Sequence, residues 1–151
     1  MTLTLQEMSD RFEIQDLIVG YCYAVDTRDW NALDRYFTED AVIDYSEMVG
    51  IVGGLAEIKT FLAESLAPIP AFQHAVSTTQ YQIEGDRAKT KTACYNPMTV
   101  SDGETTDTLV FGLWYHHEFV RTGQGWKISR LYEQKCYRLN VPDWLAAQLP
   151  A

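Results

Sequence analysis

The sequence predicts an α+β fold, with three N-terminal helices packed on a strongly curved antiparallel sheet built by the second half of the chain. Two patterns carry that expectation. Up to about residue 66, apolar residues recur at three- and four-residue steps, the spacing of helices that bury one face. From about residue 71, long runs rich in Thr, Val, Tyr, Phe and Trp follow one another with glycine-bearing turns between them, as strands joined in a meander do. Helices first and strands afterwards allow the helices to cover one face of the sheet. With 151 residues, 46% of them hydrophobic, the chain suits one domain over residues 1–151 with a sizeable core.

The first helix is expected from Leu5 to about Val25, with Leu5, Met8, Phe12, Ile14, Leu17, Ile18, Tyr21, Cys22 and Val25 on its apolar side. Thr4 with Glu7 three residues later is the capping-box pair that opens it. Asp26 follows at the C-terminal end, where the helix dipole disfavours a carboxylate, so its place calls for another reason. Trp30, Leu33, Tyr36 and Phe37 mark a short second helix, Thr38-Glu-Asp40 a turn, and Ala41 to Tyr45 a strand. Gly50, Gly53 and Gly54 punctuate a loop before a third helix carrying Leu55, Ile58, Phe61, Leu62 and Leu66, closed by Pro68 and Pro70. Strands are then expected over about 71–83, 87–100, 108–121 and 125–139, with turns at Gly85, Gly103 and Gly125. A short helix after Pro142 ends the chain.

Twelve basic against twenty-one acidic side chains leave a formal charge of −9. No cluster of Lys or Arg offers a phosphate backbone a grip, so nucleic acid is not an expected partner. No apolar run approaches the roughly 20 residues of a membrane helix, and the first residues lack a signal-peptide pattern. A soluble cytoplasmic protein without membrane association is expected. Cys22, Cys94 and Cys136 are odd in number and widely spaced, so each reads as a small buried hydrophobe rather than part of a disulfide or zinc framework. His116 and His117 are neighbours in a strand and point to opposite faces, so they cannot chelate one ion. Neither a metal nor a cofactor is expected.

On the strand over about 108–121, Phe111, Leu113, Tyr115, His117 and Phe119 alternate with Val110, Gly112, Trp114, His116 and Val120. A sheet wet on one side alternates apolar with polar. Both faces are therefore expected to be covered, one by the helices and the other by a second subunit, giving a homodimer through the sheet. Tyr45, His74, Tyr95, Asn96 and Tyr115 add polar tips to this apolar interior, which is the composition of a small-molecule cavity. Taken singly, each tyrosine is more simply explained by a hydroxyl directed at solvent.

The segments Arg11-Phe-Glu-Ile-Gln-Asp-Leu17, Val25-Asp26-Thr-Arg-Asp-Trp30, Phe37-Thr-Glu-Asp-Ala41 and Gly125-Trp126-Lys-Ile128 resemble the NTF2-like superfamily. The likeness runs over about residues 8–137 and is strongest to the SnoaL-like branch, which holds scytalone dehydratase, ketosteroid isomerase and the lindane dehydrochlorinase type. The resemblance implies a cystatin-like cone of curved sheet closed by helices, commonly dimeric. It implies that Asp26 and His74 form a dyad and that Tyr45 holds a water against a substrate carbonyl. Val25 stands where the dehydratase has a second tyrosine. The dehydratase's second histidine has Tyr95 and Asn96 as its nearest counterparts here, and Tyr115 lies close to the place of an asparagine. One cone serves many chemistries, so activity rests on the site and not on the fold.

Histidine titrates closest to neutrality of all side chains, which suits it to taking a proton. A carboxylate on Nδ1 fixes the tautomer, leaves Nε2 as the base and stabilises the imidazolium. The expected function is therefore a cofactor-independent, scytalone dehydratase-like lyase. His74 removes a carbon-bound proton, Asp26 orients it, and Tyr45 polarises the carbonyl. Tyr95, Asn96 and Tyr115 contact a small cyclic, aromatic or polyketide-like substrate, which loses water or a similar group. The alternatives are an isomerase or hydrolase on the same cone, and a non-catalytic ligand-binding or dimerisation module.

Overall fold

The computed structural model describes residues 2–151. Helix α1 (Leu5–Asp26) is followed by a 3-10 turn (Trp30–Arg35), strands β1 (Phe37–Asp44) and β2 (Val52–Gly54), and helix α2 (Leu55–Leu66). Strands β3 (Ala71–Phe72), β4 (Ala75–Glu84), β5 (Arg87–Ser101), β6 (Thr106–Thr122) and β7 (Gly125–Leu139) come next, then a one-turn helix α3 (Asp143–Ala146). The helices and the meander from β4 to β7 lie where the sequence predicts them.

Helix α1 opens on the expected capping box. The Glu7 N–H donates to Thr4 Oγ1 at 3.1 Å, and the Thr4 N–H donates to Glu7 Oε2 at 2.7 Å. Its buried stripe is Asp10, Ile14, Ile18, Tyr21, Cys22 and Val25. Leu5 and Phe12, expected on that stripe, are 83% and 72% exposed. At 3.6 residues per turn they lie about 180° and 200° around the axis from Ile14, on the solvent side.

The sheet runs β2-β1-β7-β6-β5-β3, with β4 also paired to β5. It is mixed where an all-antiparallel sheet was expected, because β1 lies parallel to β7. Tight turns force antiparallel pairing only inside the meander; β1 enters from outside it. The glycine segment predicted as a loop contributes β2, which pairs antiparallel with β1. The second predicted helix is the 3-10 turn. Ile14, Ile18, Leu33, Ile43, Ile58, Leu109, Ile128 and Leu131 are sealed between sheet and helices. Cys22 and Cys94 are buried as expected, but Cys136 is exposed, since it falls where β7 leaves the core.

One irregularity decides which side chains face the helices. Phe119 pairs with Ile128 and Glu118 with Arg130, so Ser129 is an extra residue on β7. Such a bulge reverses the alternation beyond it. Trp126 and Ile128 face inward before it, Leu131 and Glu133 after it.

Candidate active site

Asp26 and His74, 48 residues apart, meet at the open end of the cone. Asp26 Oδ1 lies 2.6 Å from His74 Nδ1. The same carboxylate accepts the His74 backbone N–H, at 2.9 Å to Oδ2 and 3.2 Å to Oδ1. His74 is thereby held by ring and main chain together, which fixes both its position and its tautomer. Nε2 makes no hydrogen bond among the described residues.

The sequence of β5 explains why that N–H is free for Asp26. Register places Gln73 opposite Pro97 and His74 opposite Asn96. The Gln73 N–H donates to Pro97 O at 3.2 Å, but proline has no N–H to return. Asn96 Nδ2 supplies the missing donor, 2.9 Å from Gln73 O. The predicted single strand over 71–83 is therefore broken between β3 and β4, and His74 lies in the break. In an antiparallel ladder the residue after a hydrogen-bonded pair turns its N–H outward. For His74, outward is toward Asp26.

The end of α1 is fixed just as firmly. The Arg28 N–H donates to Val25 O and the Asp29 N–H to Ala24 O, with Arg28 at φ 59°. This is the Schellman closure with arginine where glycine is usual. The side chain explains the exception. The Arg28 guanidinium donates to Leu66 O at 2.8 Å and Ile69 O at 2.7 Å, capping α2, and lies 5.0 Å from the Phe72 ring centroid. One residue thus ties the ends of both helices to the strand that precedes His74.

His74, Phe72 and Met98 separate an outer hollow of about 520 Å³ from an inner cavity of about 90 Å³. Asp26, Tyr23 and Thr27 line the hollow. The inner cavity has mostly apolar walls, among them Val25, Met48, Leu62, Phe111 and Leu113, with Tyr21, Tyr45, Asn96 and Glu133 as polar groups. The Tyr21 and Tyr45 hydroxyls are 2.6 Å apart. Burial pushes both phenols well above their ordinary value, so both keep their protons, one spent within the pair and one free to donate.

The sequence-predicted residues divide accordingly. Asp26, His74, Tyr45 and Asn96 converge, although Tyr45 follows β1 in a turn and Asn96 uses its amide on Gln73. Tyr95 does not join them. It is 48% exposed on the outer face of the sheet, as it must be beside an inward Asn96 when successive strand residues alternate. Tyr115 faces inward but lies below the cavity, fully buried and edge-on to Tyr21 at 5.7 Å between centroids. The smaller His116 and His117 question is also resolved by the alternation: His117 is buried, while His116 Nε2 meets Gln134 Oε1 at 2.9 Å on the other face.

Two cavity residues escaped the sequence reading. Tyr21 stands four residues before Val25, on the same face of α1, and brings a second tyrosine to the cavity wall. Glu133 is 9% exposed, and burial pushes its carboxyl up to about 8. A helical-wheel check finds Tyr21. Nothing short of the bulge at Ser129 turns Glu133 inward.

Residues 6–132 match the family model described as a SnoaL-like domain. An uncharacterised protein of Mycobacterium tuberculosis is 42% identical over 136 residues, covering 90% of this chain and 92% of that one. A crystal structure from Novosphingobium aromaticivorans, provisionally named an aromatic ring hydroxylase, is 31% identical with a TM-score of 0.75, covering 89% and 92% of the two chains. A second protein of that organism, provisionally named a scytalone dehydratase, is 16% identical with a TM-score of 0.76, covering 91% and 89%. The hexachlorocyclohexane dehydrochlorinase LinA-type3 of Novosphingobium barchaimii is 19% identical with a TM-score of 0.78, covering 92% and 94%. At these last two identities the likeness is one of fold.

Proposed function

The chain belongs to the SnoaL-like family and has the NTF2-like fold, and from that premise we propose that it is a cofactor-independent lyase. The reaction is removal of a proton from carbon next to a carbonyl, with loss of water or a similar group from the neighbouring carbon. The substrate is a small cyclic, aromatic or polyketide-like molecule. One observation carries this reading: the 2.6 Å contact from Asp26 Oδ1 to His74 Nδ1, which leaves Nε2 without a hydrogen bond among the described residues.

His74 Nε2 is the base. Asp26 holds the tautomer that presents Nε2 unprotonated and steadies the imidazolium formed when the proton arrives. Within the hydroxyl pair of Tyr45 and Tyr21 one donates to the other, and the proton left free donates to the substrate carbonyl, where negative charge grows as the carbon-bound proton leaves. A donor already in place there stabilises the transition state more than the ground state. The apolar walls exclude water and strengthen these interactions. Solved structures of the same fold include one named for dehydration and one named for dehydrochlorination, both eliminations. The relative named for an aromatic ring supports the substrate class.

The test uses a β-hydroxytetralone, which loses water to give fluorescent α-naphthol. His74→Ala and Asp26→Asn are each expected to lower kcat/KM by about 10²–10⁴, with folding checked by circular dichroism. Full turnover in both variants would remove the dyad from the mechanism. Binding without turnover would favour a ligand-binding module.

A further inference from the structure

We infer that Glu133 is the acid of this cavity: its carboxyl donates a proton to the departing oxygen of the substrate, opposite the base His74. The inference rests on the elimination proposed above and adds the proton donor that such a reaction needs. Hydroxide is a poor leaving group, and a proton delivered as the bond breaks lets it depart as water.

The placement of Glu133 is the first support. It lies on β7 past the Ser129 bulge, 9% exposed, and lines the same inner cavity as His74, Tyr21 and Tyr45. Among the described residues no cation meets its carboxyl, and the side-chain donor that acts on it is the neutral Tyr115 hydroxyl. A buried carboxylate without a partner is costly, whereas a neutral carboxylic acid carries its own donor and can present it to a ligand.

The surroundings are the second. The groups that act on Glu133 or feel it are Tyr21 and Cys22 from α1, Asp44 and Tyr45 from β1 and its turn, Cys94 from β5 and Tyr115 from β6. His74 faces the cavity from the break before β4. Among these, no lysine or arginine is present to hold a carboxylate. Tyr115 is paired with Glu133 across β6 and β7, and its buried hydroxyl beside the carboxyl offsets only part of the effect of burial. Burial raises the Glu133 carboxyl to about 8, close to neutrality, where an acid both holds its proton and can give it up. The two cavity tyrosines are far weaker acids and suit the carbonyl instead.

The step balances without a further reagent. Nε2 of His74 takes the α-proton, the electron pair forms the carbon–carbon double bond, and the β carbon–oxygen bond breaks. The oxygen leaves with the Glu133 proton as water. The imidazolium and the Glu133 carboxylate return to their starting states by proton exchange with solvent.

Two readouts test this with the full chain. In infrared difference spectra of wild type against Glu133→Gln, a protonated carboxyl band at neutral pH is expected, and it should shift when α-naphthol binds. A carboxylate signal instead, or a band that ignores the ligand, overturns the inference. Turnover of β-hydroxytetralone is then compared with that of β-chlorotetralone, whose chloride leaves without a proton. Glu133→Gln is expected to lower the hydroxy-to-chloro ratio of kcat/KM by about 100-fold, and Glu133→Asp to recover part of it. An unchanged ratio overturns the inference, because a structural residue would lower both rates alike. If wild type turns over neither tetralone, the elimination reading fails for this substrate class. The ligand-sensitive carboxyl band then still decides whether Glu133 is the cavity's acid.

Discussion

Asp10 and Glu133 are both buried carboxyls facing the interior, at opposite ends of the helix-covered side of the sheet, and they are treated in opposite ways. Asp10, 3% exposed, accepts both Arg121 Nη1 and Nη2 at 2.8 Å, Trp126 Nε1 at 3.0 Å and Gln6 Nε2 at 3.0 Å. The Arg121 hydrogen bonds hold its carboxyl down at about 2. Glu133 has no cation among the described residues and only the neutral Tyr115 hydroxyl beside it, and burial raises it to about 8. Burial alone therefore does not decide the charge of a carboxyl; the donors around it do. The closed end of the cone has a fully satisfied network that locks α1 to β6 and β7. The open end leaves its polar groups partly unspent, as a site that must bind something does.

Linkage gives the two ends opposite pH dependences. Asp10 is lowered on folding, so it adds stability above its ordinary value near 3.8 and loses that contribution as the pH falls toward about 2. Glu133 is raised on folding. Below about pH 4.5 it is protonated in both states and contributes nothing. As the pH rises from there through about 8, the unfolded chain releases its proton first and the native state loses stability.

The comparison can be broken at either end. Asp10→Asn is expected to have the largest effect, a loss of about 3 kcal/mol in urea denaturation at neutral pH, because it strands Arg121 and Trp126 around a neutral amide. An unchanged midpoint would mean that the network is replaceable and the two ends are not different in kind. Glu133→Gln should act in the other direction, raising stability near about pH 9 and changing it by almost nothing near about pH 4. Thermal midpoints across that range read it, and a wild-type alkaline decline that persists in the variant would assign it to another group. Smallest is Thr4→Ala at the start of α1, expected to cost about 1 kcal/mol through loss of the capping box. Its circular dichroism melt should shift without any change in ligand binding at the far end of the cone.

The regular elements were legible because local physics dictates them. Helical spacing, the Thr4–Glu7 cap and long β-branched runs required no knowledge of the fold. The same patterns misled where a face had to be chosen. Leu5 and Phe12 share the spacing of the α1 stripe but not its angle, since the turn from Ile14 carries both to the solvent side. Tyr95 and Asn96 were both proposed as substrate contacts, although adjacent strand residues cannot share a face. Two polar groups of the cavity were missed for different reasons. Tyr21 was hidden among the apolar residues of a helix face, and Glu133 looked like one more surface charge in an acidic chain.

The sequence by itself determined the α+β class, the family resemblance, and the residue types from which a dyad can be made. Those follow from short-range spacing, which any local window of the chain contains. Tertiary structure decided what those residues meet. Pro97 cannot return a hydrogen bond to Gln73, so the strand breaks and the His74 N–H turns to Asp26. Ser129 adds one residue to β7, so Glu133 faces the cavity and not the solvent. Both outcomes depend on strand register, and register is a property of two segments paired across the sheet.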